Sequence, residues 1–197
     1  MIKKANIKRI DRIIKEIWMK NIRKDYDNLH LLKEDTLKNS FYYHLRRKLG
    51  TKFLDDNSIR IFTEFNNGKL KGTGFRADVV IVELGKDTSG YLGDNIESIV
   101  AIIEFKYGDA YTPDSNFYDD INKVKNYITN YKLDCLYYLG FIIEKEYPYP
   151  NWLDSRQTNN WANKKVTVLS ANREIGSYDM KFYIQSCNGL NKDLDII

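Results

Sequence analysis

The chain has 197 residues, 43% of them hydrophobic and 29% charged, which excludes a disordered or fibrous protein and suits one globular domain. No apolar run approaches the ~20 residues that span a bilayer, and no secretory leader is recognisable, so we expect a cytoplasmic protein without membrane contact. Cys135 and Cys187 belong to no CxxC pair, so a zinc cluster or a disulfide framework has no sequence support, and only two histidines are present. A divalent metal would therefore need oxygen ligands.

The net charge of +4 conceals an asymmetry along the chain. Residues 1–50 hold 14 Lys/Arg and 6 Asp/Glu, or +8, which leaves 17 and 21, or −4, for residues 51–197. Such a basic segment indicates an anionic partner, nucleic acid or a membrane surface, although a solvated basic helix face would give the same count. The candidate phosphate contacts in this segment are Lys3, Lys4, Lys8 and Arg9.

The periodicity of apolar residues predicts the elements in chain order. Isoleucines at helical spacing predict a basic amphipathic helix over 4–23, and a second helix over about 32–48 ends near Gly50. Alternating or continuous apolar runs then predict three strands, a helix and a fourth strand, at 58–65, 75–83, 98–108, 119–131 and 135–143. A short helix within 151–164 and two strands, 164–171 and 179–187, complete the chain.

This order predicts an α/β fold with a mixed central sheet flanked by helices. We expect a single domain in three parts: a basic helical arm at 1–29, a core at 30–143 and a C-terminal β extension at 144–197.

Charged residues interrupt two of the predicted strands. Glu104 and Lys106 point the same way, about 6.6 Å apart at twice the strand rise, while Phe105 points into the opposite layer. Charges on so apolar a strand are disfavoured unless they are paired or bind something. Asp78 interrupts the preceding strand and can converge on Glu104, and two neighbouring carboxylates favour a bound Mg²⁺ or Mn²⁺.

Glu34 continues the buried stripe of the second helix, three residues before Leu37, so its carboxylate is expected to point toward the sheet. A helix-start carboxylate stabilised by the macrodipole is the equal alternative.

The αβββαβ order, with Glu34, Asp78 and then Glu104-Phe105-Lys106, resembles the PD-(D/E)XK nuclease superfamily over residues 30–143. Its divergent bacterial and phage members are similar in the strings RADVVIV and AIIEFKYG, although Arg76-Ala77 stands where the family pattern has a proline before the aspartate. The resemblance implies a restriction-endonuclease-like fold and hydrolysis of phosphodiester bonds, in DNA rather than RNA.

The resemblance also implies roles for individual residues. Asp78, Glu104 and the Phe105 carbonyl would hold Mg²⁺ or Mn²⁺, and Lys106 would orient or help deprotonate the attacking water. Glu34 would bind a second ion or a metal-bound water. Lys123 stands where such proteins often contact phosphate, with a solvent-facing lysine as the alternative.

Other interpretations remain open from the sequence. Arg76 could contact a phosphate or pair with Asp78. The chain could be a catalytically inactive protein of nuclease fold that binds nucleic acid or a protein partner, or Glu104 and Lys106 could form a surface pair on an edge strand. Cutting both strands of a duplex usually needs two active sites, which is compatible with a homodimer.

Overall fold

The computed structural model describes residues 2–66, 76–86, 90–147 and 151–191. They form an α/β structure around one six-stranded open mixed sheet, whose strands lie side by side in chain order. The first three strands are antiparallel, the third to fifth are parallel, and the sixth runs antiparallel to the fifth. The strands are β1 (Ile59–Phe65), β2 (Ala77–Leu84), β3 (Ile96–Gly108), β4 (Leu136–Glu146), β5 (Val166–Arg173) and β6 (Met180–Ser186).

The predicted helices are present, with two differences. Helix α1 (Lys4–Glu16) continues through a π-helical segment, Ile17–Ile22, into α2 (Arg23–Asp27), so the basic helix is longer than predicted. The short helix α4 (Thr51–Asp56) was not predicted. The others are α3 (Glu34–Leu49), α5 (Ser115–Thr129) and α6 (Ser155–Thr158). The predicted turn at 67–74, with Phe75, and residues 148–150 lie outside the described residues.

Strand β3 separates two apolar layers because its side chains alternate between the faces of the sheet. Ile103 and Phe105 face the layer that contains α1 and α3, where the Phe105 and Phe41 ring centroids are 5.0 Å apart. Ile102 faces the layer of α5, which contributes Phe117, Ile121 and Val124. Gly140 on β4 allows this packing, since a Cβ there would lie 2.5 Å from the Phe105 ring.

The basic N-terminal helix is also part of the core. As its spacing predicts, Ile10, Ile14 and Trp18 are fully buried. Asp11 is buried too, and its Oδ1 accepts hydrogen bonds from the Tyr138 hydroxyl at 2.8 Å and from Asn188 Nδ2 at 2.6 Å. These bonds tie α1 to the sheet and to the segment after β6.

Within the described ranges, no helix is both long and apolar enough to cross a membrane. Both cysteines are free thiols.

Candidate active site

The two acids that interrupt the strands meet at one end of the sheet. Strands β2 and β3 pair Val79 with Ile103, so Asp78 and Glu104 occupy the next opposed positions. The Asp78 N–H donates to Glu104 Oε2 at 3.4 Å, and the Phe105 N–H donates to Asp78 Oδ2 at 2.7 Å. Because β3 lies between β2 and β4, the interpretation of Glu104 and Lys106 as a surface pair on an edge strand is wrong.

Glu104 is fully buried and its cation is Lys123, not Lys106. Lys123 Nζ on α5 donates to Glu104 Oε2 at 2.8 Å and to the Arg76 carbonyl oxygen at 2.7 Å, so it is not the solvent-facing lysine of the alternative interpretation. The pKa of Glu104 is raised to about 8, chiefly by burial. Asp78 also raises this pKa, whereas Lys123 lowers it. Burial thus favours the protonated form of Glu104, and a bound cation would favour the ionised form.

Lys106 lies between two other acids. Its Nζ is 3.0 Å from Glu34 Oε2 at the start of α3 and 3.5 Å from Asp120 Oδ2 on α5. Burial disfavours the charge on Lys106, but Asp120 and Glu34 outweigh it and raise its pKa. The structure thus brings Glu34 to the cluster, as its position on the buried helix stripe indicates.

Asp120 is the member of this cluster that the sequence analysis missed. Its side chain is largely buried, and burial raises its pKa to about 6 against the opposing effects of Lys106 and Lys123. The available signal was its spacing: Asp120 is three residues before Lys123 and next to the buried Ile121, so both charges lie along one face of α5.

A second ion-pair group borders the acids. Arg76 Nε lies 2.6 Å from Glu64 Oε2, so its partner is Glu64 and not Asp78. Glu64 also pairs closely with Lys38, a buried lysine of α3 that lies 3.4 Å from Asp35 Oδ1. Burial lowers the pKa of Lys38, but Glu64 outweighs this effect and the net change is a raised pKa.

The basic residues near the N-terminus lie away from this cluster. The first turn of α1 borders Ser58 and Glu83, at the end of β2 opposite Asp78, roughly 17 Å along the strand at 3.4 Å per residue. The Arg9 guanidinium lies over the Phe53 ring, 4.2 Å from its centroid. The four predicted phosphate contacts are all exposed: Lys3, Lys4, Lys8 and Arg9.

The charges of the site fit a divalent cation. Four carboxylates (Glu34, Asp78, Glu104 and Asp120) face two ammonium groups (Lys106 and Lys123), which leaves an excess of two negative charges if all are ionised. Two buried oxygens, Glu104 Oε1 and Asp120 Oδ2, make no hydrogen bond of normal geometry among the described residues, although Asp120 Oδ2 lies 3.5 Å from Lys106 Nζ. Hard oxygen donors with spare valence suit Mg²⁺ or Mn²⁺.

The side chains are not arranged as a ready-made metal cage. Among the described residues, no three His, Cys, Asp or Glu side chains have the spacing of a metal site. Two of the carboxylates instead form ion pairs with lysines: Glu104 pairs with Lys123, and Glu34 pairs with Lys106. A metal ion would have to compete with these ammonium groups for the carboxylates.

Comparison with known proteins adds no assignment. No family model, curated protein or solved structure matches the chain.

Replacing Lys123 with methionine is expected to lower the stability of the metal-free protein by about 2 kcal/mol, because the buried Glu104 loses a charged hydrogen-bond donor. Mn²⁺ should then raise the melting temperature more in this variant than in wild type, since Glu104 is freed for the metal. Thermal unfolding with EDTA and with Mn²⁺ measures both effects. Lys125→Met, at an exposed position on the same helix, is the control; equal Mn²⁺ shifts in all three proteins would contradict the competition.

Proposed function

We propose that this protein is a metal-dependent nuclease that hydrolyses phosphodiester bonds, in DNA rather than RNA. The observation that carries the proposal is the meeting of Asp78 and Glu104 on adjacent central strands, with Lys106 two residues further along β3. Acids from two strands and a lysine at one sheet end are what metal-assisted phosphoryl chemistry requires.

The order of elements around the site supports a restriction-endonuclease-like core. Helix α3 precedes the antiparallel β1, β2 and β3, and α5 then connects β3 to the parallel β4. This is the αβββαβ order of the PD-(D/E)XK resemblance, with the acids at the positions that the resemblance assigns. Topology and site chemistry together support the proposal.

In this proposal Asp78, Glu104 and the Phe105 carbonyl would hold Mg²⁺ or Mn²⁺, and Glu34 would hold a second ion or its water. The metal, when bound, would supply charge stabilisation at the phosphate and a more acidic water. Lys106 orients or helps deprotonate the attacking water and offsets charge on the phosphate. Asp120 positions Lys106 through its ion pair, and Lys123 moves from Glu104 toward a substrate phosphate.

Incubation of the purified protein with plasmid, single-stranded DNA and RNA, each with Mg²⁺, Mn²⁺ or EDTA, tests the proposal. We expect metal-dependent cleavage of DNA that EDTA stops. Absence of cleavage of any substrate, or cleavage that persists in EDTA, would contradict it.

A second candidate is a binding protein of nuclease fold without catalysis, whose partner is nucleic acid or another protein. The observation in its favour is that Lys106 and Lys123 already satisfy the acids in part. Calorimetry separates the candidates: Mn²⁺ binding that Asp78→Ala abolishes favours the enzyme, whereas no heat of binding favours the metal-free binder.

The exposed basic residues of the first helix are expected to add affinity for DNA without changing catalysis at saturating DNA. A variant with glutamate at all four positions should bind DNA more weakly, and each lost phosphate contact should reduce the slope of log K against log salt by about 0.9. Titrations at several salt concentrations measure this. Binding equal to wild type would identify these residues as a solvated helix face. The four positions are Lys3, Lys4, Lys8 and Arg9.

A further inference from the structure

A pocket of about 290 Å³ lies beside the candidate active site, between β1 and the segment that leads into β3. Its apolar walls come from Phe62 and Phe65 on one side and from Tyr91, Leu92 and Ile96 on the other. This volume is close to the lower end of the range for small-molecule sites, so the pocket suits one compact group.

The pocket combines two neighbouring phenylalanine rings, of which Phe65 is buried, with two exposed apolar side chains. The Phe62 and Phe65 rings are nearly parallel, with centroids 6.0 Å apart and an interplanar angle of 18°. Tyr91 is 75% exposed and Leu92 is 46% exposed, although both are large apolar residues. Exposed apolar surface grouped around a concavity is typical of a binding site.

Direct contacts connect this pocket to the acids. Glu64 lines the pocket and holds the Arg76 side chain, while the Arg76 carbonyl oxygen accepts a hydrogen bond from Lys123, which also holds Glu104. Phe62 pairs with Val80, two residues from Asp78 on β2, which corresponds to about 7 Å along the strand. Ile96 pairs with Leu84 at the far end of β2, so the part of the pocket at Phe62, Phe65 and Glu64 is the part that lies next to the candidate metal ligands.

We propose that this pocket receives an unpaired nucleobase of the substrate strand, next to the phosphate that lies at Asp78 and Glu104. The proposal rests on the proposed nuclease function and specifies its substrate class as nucleic acid with unpaired bases. Every base has a π-face that can stack on an aromatic wall, whatever the sequence. Arg76 and Lys123 supply cations for the flanking phosphate. A base held in a duplex could not enter without leaving its stack.

The test measures binding, with Ca²⁺ in place of Mg²⁺, of a single-stranded oligonucleotide that carries the fluorescent base 2-aminopurine. We expect quenching of its fluorescence on binding, and a roughly 5- to 150-fold weaker affinity for Tyr91→Ala, in line with the ~1–3 kcal/mol of one base–aromatic stack. Leu92→Ala is the second variant and should weaken binding less. Both side chains are exposed, so folding is preserved, and thermal unfolding checks this.

Tyr178→Ala is the matched control, since Tyr178 is 95% exposed and precedes β6, at the opposite edge of the sheet from β1. Five strand spacings of ~4.8 Å separate the two edges. The control should bind like wild type.

Two further arms distinguish the outcomes. The same base paired in a duplex should show weaker binding and little quenching, and the free mononucleotide should bind far more weakly than the strand. Equal affinities of wild type, Tyr91→Ala and Leu92→Ala for the strand would overturn the pocket assignment and leave the nuclease proposal standing. Wild type that binds no nucleic acid in any arm would overturn both.

Discussion

Lys106→Met should reduce cleavage of DNA at least 10²- to 10³-fold while Mn²⁺ binding remains. In the proposed mechanism Lys106 acts on the attacking water and on phosphate charge, and removal of one such preorganised group typically costs that factor in rate. In the proposed site Asp78 and Glu104 would hold the metal, and neither carboxylate pairs with this lysine, so metal binding should persist. Single-turnover cleavage and calorimetry with Mn²⁺ measure the two effects.

Two other variants make this result specific. Asp78→Asn should lose Mn²⁺ binding as well as cleavage, and Lys125→Met, at an exposed position, should behave like wild type. Thermal unfolding checks the fold of Lys106→Met, in which Glu34 and Asp120 lose their shared cation. If the cleavage rate of Lys106→Met lies within threefold of the wild-type rate, Lys106 has no role in catalysis.

The metal-free protein should become less stable as the pH rises from about 5 to about 8. The pKa of Glu104 is raised from 4.5 to about 8 and that of Asp120 from 3.8 to about 6, both chiefly by burial. Between these limits the folded state retains protons that the unfolded state has released, so stability falls with rising pH. The stabilisation is complete below the unfolded pKa values and is lost above the folded ones.

In EDTA we expect the melting temperature to fall by on the order of 10 °C across this range. The folded state binds about one to two more protons than the unfolded state, and the entropy of unfolding typical of a chain of this size converts that free-energy difference into a temperature shift. Glu104→Gln cannot titrate and should flatten the curve, and the difference from wild type isolates the contribution of Glu104. Saturating Mg²⁺ should restore stability at pH 8 because it replaces the protons. Stability that rises with pH in EDTA, in wild type but not in Glu104→Gln, would contradict the assignment.

Much of the site was accessible from local sequence. Period-two alternation placed Glu104 and Lys106 on one face of a strand, and the apolar run before them indicated a central position, which the strand order confirms. The buried stripe of α3 pointed to Glu34, which does contact Lys106.

The pairing of charges was not accessible. The sequence suggested that Glu104 and Lys106 lie side by side, yet Glu104 pairs with Lys123 and Lys106 with Glu34 and Asp120. Arg76 pairs with Glu64 and not with Asp78. The two members of each ion pair lie on elements that are far apart in the chain, so the pattern of one strand cannot predict which residues pair.

The sequence alone determined the alternating and helical periods, and hence the order of elements, because these periods show which side chains of each element are buried. It also determined that a metal would need oxygen ligands. Only the tertiary structure decided that β2 and β3 pair with Asp78 opposite Glu104, that α5 brings Asp120 and Lys123 to them, and that the basic residues at 3–9 lie at the other end of β2. The reason is that strand register and helix placement follow from packing across the whole sheet, which no local pattern contains.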